Sequence, residues 1–290
     1  MSALDCVRGC LKATSMLWMG ALGLPVLSGV IVSDWSDASA DAVRRFARAR
    51  GFSQLLLRVD KPNERWSPRR GGYLLDLSQI ATTVHELNGE GRIAILLEPA
   101  SPYADQYSLA GVSVPDERKL VVEIVGPGFD ASDVLRNDLE AHERWELGLG
   151  LAGRARRANR THLTTAHKYA ESVKRRLEKI GARIKDPAFP DALLNSVSNK
   201  GQLRRDATSF LKISHQTALL RHADGYVPIP RRHLLAFVGR VDSLLKGLGE
   251  YGIHLGPSSF AASIIPPRGL VFWDFFPART QEASWLYPTP

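Results

Sequence analysis

The chain has 290 residues, 44% of them hydrophobic, with charge spread along its length. That suffices for one large core or two smaller lobes, and no window approaches the roughly 18 uninterrupted apolar residues of a membrane helix, so a soluble globular chain with no membrane partner is expected. The formal net charge is +8, but eleven Lys or Arg against Glu171 and Glu178 put +9 between Arg154 and Lys185 alone.

Cys6 and Cys10 come first. Four apart on one expected helix, they are poorly placed for a disulfide, and no cluster of His or Cys surrounds them to hold a metal. Two reduced thiols in a cytoplasmic protein are expected. The stretch "LKATSMLWMGALGLPVLSGVIVSDW" (11–35) has the basic start and apolar run of a secretory signal. Asp5 lies in the would-be basic region, however, and no small-x-small cleavage site precedes a polar start. The reading is instead a helix from about Leu4 to Leu22, a turn at Gly23-Leu24-Pro25, and a short buried strand at Val30-Ile31-Val32.

"SDASADAVRRFARARG" predicts a helix, with a Ser/Asp start, a stripe at Ala42, Phe46 and Ala49, and Gly51 as its stop. "SQLLLRVDK" predicts a strand ending in charge. "WSPRRGGYLLDL" is a Gly- and Arg-rich connection into another strand or turn. A helix is expected over about Ser78–Leu87, then a buried strand in "RIAILLEPAS". "KLVVEIVGPGFDASDVLR" reads as strand, Gly-Pro-Gly turn and helix. From Arg154 to about Ile184 one face carries Tyr169, Val173, Leu177, Ile180 and Ile184 at helical spacing, with the basic residues elsewhere. A further amphipathic helix runs from about Pro230 to Leu248. "GLVFWDFFPAR" predicts a final strand over about 269–276.

Strands alternating with helices, then a helical block before a last strand, predict an α+β (mixed α/β) protein of two lobes with a cleft between them. The lobes are expected at 1–100 and 101–290, the second with a basic helical segment at about 154–250.

Arg58, Glu98, Glu123 and Asp274 sit at the ends of otherwise apolar strands. An unpaired ionised group on a buried strand costs several kcal/mol, so each is expected at a strand's mouth or in a pair. Lys12, Arg69, Arg70 and the glycines Gly71 and Gly72 add the ingredients of a phosphate site, where carboxylates hold Mg²⁺. Plainer readings stand beside these. Lys12 suits a solvated helix face. Arg58 suits a structural pair with Asp76 or Glu64, and Glu123 a buried ion pair. His215 and His222 suit ordinary surface or core positions. Asp274, among four aromatics, calls for a metal or an arginine.

Lys12 stands eleven residues before Gly23 of "GLPV", Arg58-to-Glu64 reads "RVDKPNE", and Gly71-Gly72 follow. This pattern resembles the nucleotide-binding half of the pyruvate phosphate dikinase and phosphoenolpyruvate synthase family. There a lysine precedes a Gly-Leu-Pro-Val turn by the same interval, followed by an Arg-Ser-Ser-led motif and a Gly-containing phosphate loop. "RIAILLEPAS" is similar to the family's adenine-side strand and "GLVFWDFFPAR" to its closing metal-binding strand.

The resemblance implies an ATP-grasp fold holding ATP between two lobes. Lys12 and Arg58 would grip phosphates, Arg70 and the Gly71-Gly72 loop would cover them, and the backbone from Glu98 to Ala100 would meet adenine. Asp274 would hold Mg²⁺, with Glu123 or Asp130 as a second ligand, and Arg279 would reach the phosphates. The sequence departs from the family at Arg58-Val59-Asp60, where two hydroxyls are missing, and at Asp274, which replaces a glutamine. It departs again at "FAASIIPP", which lacks an upstream acid, and at Arg279, five positions after Asp274 instead of two. No equivalent of the family's phosphohistidine and pyruvate-binding domains is read in these 290 residues, so phosphoenolpyruvate synthesis by this chain alone is not expected.

The expected activity is an ATP- and Mg²⁺-dependent phosphotransferase or ligase acting on a small-molecule carboxylate or hydroxyl. The alternatives are a non-catalytic ATP-grasp-like module, binding a nucleotide or an acidic protein through its basic helix, and a nucleic-acid binder. The basic stretch lacks the interleaved aromatics of a nucleic-acid module, so nucleic acid is the least expected partner.

Overall fold

A computed structural model describes residues 10–61, 72–100, 107–114, 118–127, 141–149, 227–250 and 258–276. The expected helix beyond residue 130, the basic segment, His215, His222, Arg69, Arg70, Gly71 and Arg279 lie outside the described residues.

Helix α1 (Leu11–Leu22) has no side-chain cap of its own at Cys10 and ends on Gly23 at φ 80°. The left-handed conformation is one glycine adopts without a Cβ penalty. Leu24 N–H closes the turn on Met19 O at 2.9 Å. The eleven-residue interval from Lys12 to Gly23 is thus three turns of helix, from its first turn to its C-terminal glycine.

The chain then enters β1 (Gly29–Val32), α2 (Asp37–Arg48), β2 (Gln54–Asp60), β3 (Tyr73–Asp76), α3 (Leu77–Gly89) and β4 (Ile93–Leu97). Helix α2 starts on a reciprocal capping box between Ser36 and Ser39 and buries Val43 and Ala47. The strands form an antiparallel sheet in the order β1-β4-β2-β3. Side-chain alternation divides it cleanly. Leu55, Leu57, Val59, Ala94 and Leu96 pack under α2 and α3 with Val43, Ile80 and Val84. Leu56, Ile93, Ile95 and Leu97 face the other way, into a core shared with α1 and the second sheet.

That second sheet comprises β5 (Tyr107–Val114), β6 (Lys119–Val125), β7 (Glu143–Gly148), β8 (Ser258–Ile265) and β9 (Gly269–Phe276), all antiparallel, in the order β7-β6-β5-β8-β9. Helix α4 (Arg231–Glu250) lays Leu234, Phe237, Val238, Val241, Leu244 and Leu248 into it. The 3- and 4-residue spacing is that of a helix buried along one stripe. Phe237 stacks on Phe272 at 5.4 Å between ring centroids and Phe260 on Phe275 at 4.9 Å. Entry to α4 is fixed by two polar contacts. Ile229 N–H donates to the buried Glu143 carboxylate at 2.6 Å, and Tyr107 OH donates to Val227 O at 2.8 Å.

The mixed α+β class read from the sequence is the observed one. Strands β5, β7 and β8 were not read from it.

The N-terminus of α1 is capped from a distance. Asp60, buried at the end of β2, accepts Lys12 N–H at 2.6 Å and Ala13 N–H at 3.1 Å. A carboxylate there satisfies two helix donors and opposes the positive end of the helix dipole. The thiol of Cys10, just outside the helix, is pushed up to about 12 by burial first and then by the charge of Asp60. Asp60→Ala leaves both amide donors without this acceptor and should destabilise the fold by about 2–3 kcal/mol. Asp60→Asn, which keeps an acceptor, should lose clearly less. Equilibrium urea unfolding of the two variants checks this.

His142, buried before β7, accepts Gly126 N–H on Nδ1 at 2.9 Å. Burial holds its pKa below the ordinary 6.5, against a smaller opposing pull from Glu143. The neutral imidazole therefore belongs to the folded state, and protonation would break the bond to Gly126. Its contribution to stability is present above pH 6.5 and is lost as pH falls through the lowered value. The urea midpoint should drop more steeply in wild type than in His142→Gln between pH 7 and pH 5.

Candidate functional site

Strand β9 lies at one edge of the five-stranded sheet, and its outward backbone groups find partners in the first sixty residues. Phe272 N–H donates to Pro25 O at 2.7 Å. The buried Ser15 hydroxyl donates to Phe275 O at 2.9 Å and accepts Phe275 N–H at 2.8 Å. Between these contacts the register of β9 slips against β8 at Ala261/Ala262, so that Trp273 has no cross-strand partner. A bulge of this kind turns an edge strand and redirects its side chains. Arg58 fills the gap. Its Nη1 donates to Trp273 O at 3.0 Å, its guanidinium carbon stands 5.7 Å from the Trp273 ring centroid, and its Nη2 faces the Asp274 carboxylate at 3.4 Å.

Arg58 reaches this position because Leu56, Arg58 and Asp60 alternate on the inner face of β2. Lys12 lies on the same side. Its Nζ donates to Val59 O at 3.0 Å while its backbone meets Asp60. The structure therefore gathers Lys12, Arg58 and Asp274, from opposite ends of the sequence, at one seam between the two sheets.

The face of the larger sheet that carries Asp274 differs from the face under α4. Cross-strand partners share a face, and the register runs Arg144–Glu123–Ala110–Ala261–Asp274 across all five strands. Ser108 and Ser263, paired across β5 and β8, stand on this face too, with hydroxyls 3.2 Å apart. Trp273 Nε1–H donates to Ser263 at 2.8 Å. One face is thus packed with Leu, Ile and Phe. Along this one row the other face has small residues in the middle and a charged pair at each end, with the buried Val121, Val125 and Val271 on the flanking rows.

Glu123 stands with Arg144 at 3.1 Å, both buried. It lies three strands from Asp274, about 14 Å along the row, so the structure does not bring it to Asp274. Breaking this pair from one side leaves a buried charge, a loss of about 3–5 kcal/mol. Glu123→Ala should lose that much in urea unfolding. The Glu123→Ala/Arg144→Ala double variant should lose much less than the sum of its two singles.

Glu98 is engaged at the other end of β9. It pairs with Arg268 of the β8–β9 turn and accepts Ser28 N–H at 3.2 Å, while Arg268 also donates to Pro99 O. Ala100 is buried. A Cβ at Gly72 would come 2.8 Å from Leu56 Cδ1 and 3.2 Å from Leu57 O, so close packing on β2 alone accounts for a glycine there. Asp76, the partner considered for Arg58, instead accepts Gln54 Nε2–H at 2.9 Å.

Ser15, Trp273 and Arg268 escaped the sequence reading as contributors here, and Asp60 entered it only as a missing hydroxyl. For Asp60 a signal existed in the alternation Leu56-Arg58-Asp60. For Ser15, one hydroxyl in an apolar helix gave none.

Of the expected metal ligands among the described residues, Asp274 is the one that lies at the seam and could hold Mg²⁺ there. It is a carboxylate that keeps 19% of its side-chain surface exposed and meets its arginine at a long distance. Mg²⁺ commonly takes one or two carboxylates and completes its shell with water and phosphate oxygens. Among the described residues no group of three or more His, Cys, Asp or Glu stands together, and no helix is long and apolar enough to cross a membrane.

No family model and no curated protein matches the chain. Among solved structures, D-cycloserine synthetase DcsG is similar with a TM-score of 0.38 and 11% identity, over 94% of this chain and 65% of that one. D-alanyl-alanine synthetase A from Vibrio cholerae gives 0.40 and 9%, over 93% and 55%. The ATP-grasp ligase PsnB, complexed with a minimal precursor, gives 0.37 and 8%, over 93% and 53%. The chain thus spans between about half and two thirds of these proteins. At such TM-scores and identities the likenesses assign no family.

Proposed function

We propose that the chain is an ATP- and Mg²⁺-dependent ligase or phosphotransferase of ATP-grasp type, with the triphosphate in the seam between the two sheets. One observation carries this reading. Cations from the first helix and from β2 converge with an aspartate of β9 at the end of a cross-strand row whose middle is Ala110 and Ala261. Lys12 and Arg58 neutralise phosphate charge, and Asp274 would hold Mg²⁺, which supplies the electrostatic stabilisation that phosphoryl transfer needs. The acceptor is a small-molecule carboxylate or hydroxyl. With a carboxylate, its oxygen bonds to the γ-phosphorus, the bond to the bridging oxygen breaks, and ADP leaves an acyl phosphate. The finer resemblance, to the dikinase and phosphoenolpyruvate synthase family, rests on the sequence pattern of Lys12, Gly23 and Arg58.

A second reading is a nucleotide-binding module without turnover. What favours it is the engagement of the carboxylates: Asp274 faces Arg58, and Glu123 is held by Arg144. Magnesium-dependent ATP hydrolysis or transfer separates the two readings. An acidic partner for the basic segment belongs to residues outside those described.

Saturating MgATP at about 100 times its Kd stabilises a binding protein by ~2.7 kcal/mol, or roughly 4–5 °C in a chain of this size. The wild type is expected to show that shift. Lys12→Ala and Arg58→Ala should each cut it by half or more, measured against each variant's own unliganded Tm. An unshifted wild type, or equal shifts in all three proteins, would sink the proposal.

A further inference from the structure

The solvent side of α2 is ordered by charge. Asp37, Asp41, Arg44 and Arg48 are all exposed, and they stand four, three and four residues apart. At 3.6 residues per turn they fall on one stripe about 60° wide. The acids occupy its first half and the bases its second, an order that suits the helix dipole. The stripe is little used within the chain. Arg44 pairs with Asp41 at 2.8 Å, with 58% of each side chain exposed. The side chains of Asp37 and Arg48 make no hydrogen bond or ion pair among the described residues. On the opposite side of the helix, Val43 and Ala47 are buried and hold α2 against the face of the smaller sheet that looks away from the seam. The stripe is therefore a charged ridge on a fixed support.

We propose that α2 docks against α2 of a second copy of this chain, the two helices antiparallel across a two-fold axis. The order of the charges selects that occupant. Laid antiparallel beside itself, the stripe is self-complementary. Asp37 meets Arg48 of the second copy and Asp41 meets Arg44 of the second copy in one register, because both pairs are symmetric about the midpoint between Ala42 and Val43. The axis repeats both contacts, and an isologous contact closes on itself, so assembly stops at two copies. A parallel pairing sets acid beside acid and base beside base, which repels. A polyanion uses only the basic half of the stripe and meets Asp37 and Asp41 as repulsive neighbours. Exposed ion pairs are individually weak. A helix of 12 residues is also only about 18 Å long, short of a standard stable interface. The dimer is accordingly reversible and sensitive to salt. It leaves the seam of each copy uncovered and does not depend on the nucleotide reading.

Sedimentation velocity of the full chain should show a monomer–dimer equilibrium at low salt. It should weaken about tenfold between about 50 and about 500 mM NaCl, as the screening length falls about threefold. Charge reversal identifies the surface. Asp37→Arg/Asp41→Arg makes the stripe wholly basic, and Arg44→Asp/Arg48→Asp makes it wholly acidic. Each variant alone should sediment as a monomer, and an equimolar mixture of the two should dimerise. A wild type that stays monomeric at low salt, up to its highest soluble concentration, overturns the inference. So does a dimer that either variant retains by itself, and so does a mixture of the two that stays monomeric when both have the circular dichroism of wild type. If either reversed protein does not fold, Asp41→Asn/Arg44→Gln, which leaves the ends of α2 as they are, decides. It should raise the dimer Kd about fivefold, and an unchanged Kd overturns the inference.

Discussion

The exposed edge of β9 is the constraint around which this protein is organised. An edge strand presents unpaired amides and carbonyls that invite mispairing, and a bulge leaves still more of them unmatched. Here Pro25, Ser15 and Arg58 take up those groups in turn. The helix, the turn and the strand that supply them belong to the first sixty residues. The smaller sheet is therefore joined to the larger one through hydrogen bonds to backbone, which fix position and register more sharply than apolar packing alone. Arg58 and Asp274 meet as a by-product of that joint.

The four charges that stood out at the ends of apolar strands share one arrangement. Arg58, Glu98, Glu123 and Asp274 all have an ionic partner: Asp274 for Arg58, Arg268 for Glu98 and Arg144 for Glu123. The pairs are not equivalent. Glu123–Arg144 is buried on both sides and close. Arg58–Asp274 is longer and wetter. Burial strengthens a pair while raising the penalty for parting its members.

Much of the fold was legible because its signals were local. Ser36, Gly51 and the stripe of α2, the apolar runs of β2 and β4, and the long stripe of α4 each announce an element within a dozen residues. Strand β8 hid for a physical reason. One of its faces is Phe260, Ala262 and Ile264, but the other is Ser259, Ala261 and Ser263, residues that carry little strand propensity. Those small residues made the strand hard to read. At the seam, the charged residues stood out because charge on an apolar strand is conspicuous. Their partners did not, since which cation meets which anion is decided by the sheet order and no local pattern encodes it. Asp60 shows both halves of this. It was noticed as a missing hydroxyl, and its bond to α1 spans 47 and 48 residues.

The bonds between Ser15 and Phe275 join residues 260 positions apart. A ribosome adding roughly 5–20 residues each second takes on the order of ten seconds or more to bridge that interval. Throughout it α1 and the inner side of β2 are already made while the strand that covers them is not. Folding of the shared core must wait for β9, and closing so long a loop is slow compared with forming any helix or hairpin along the way. The nascent chain therefore carries a sticky, half-finished surface until β9, the last strand among the described residues, emerges and seals it.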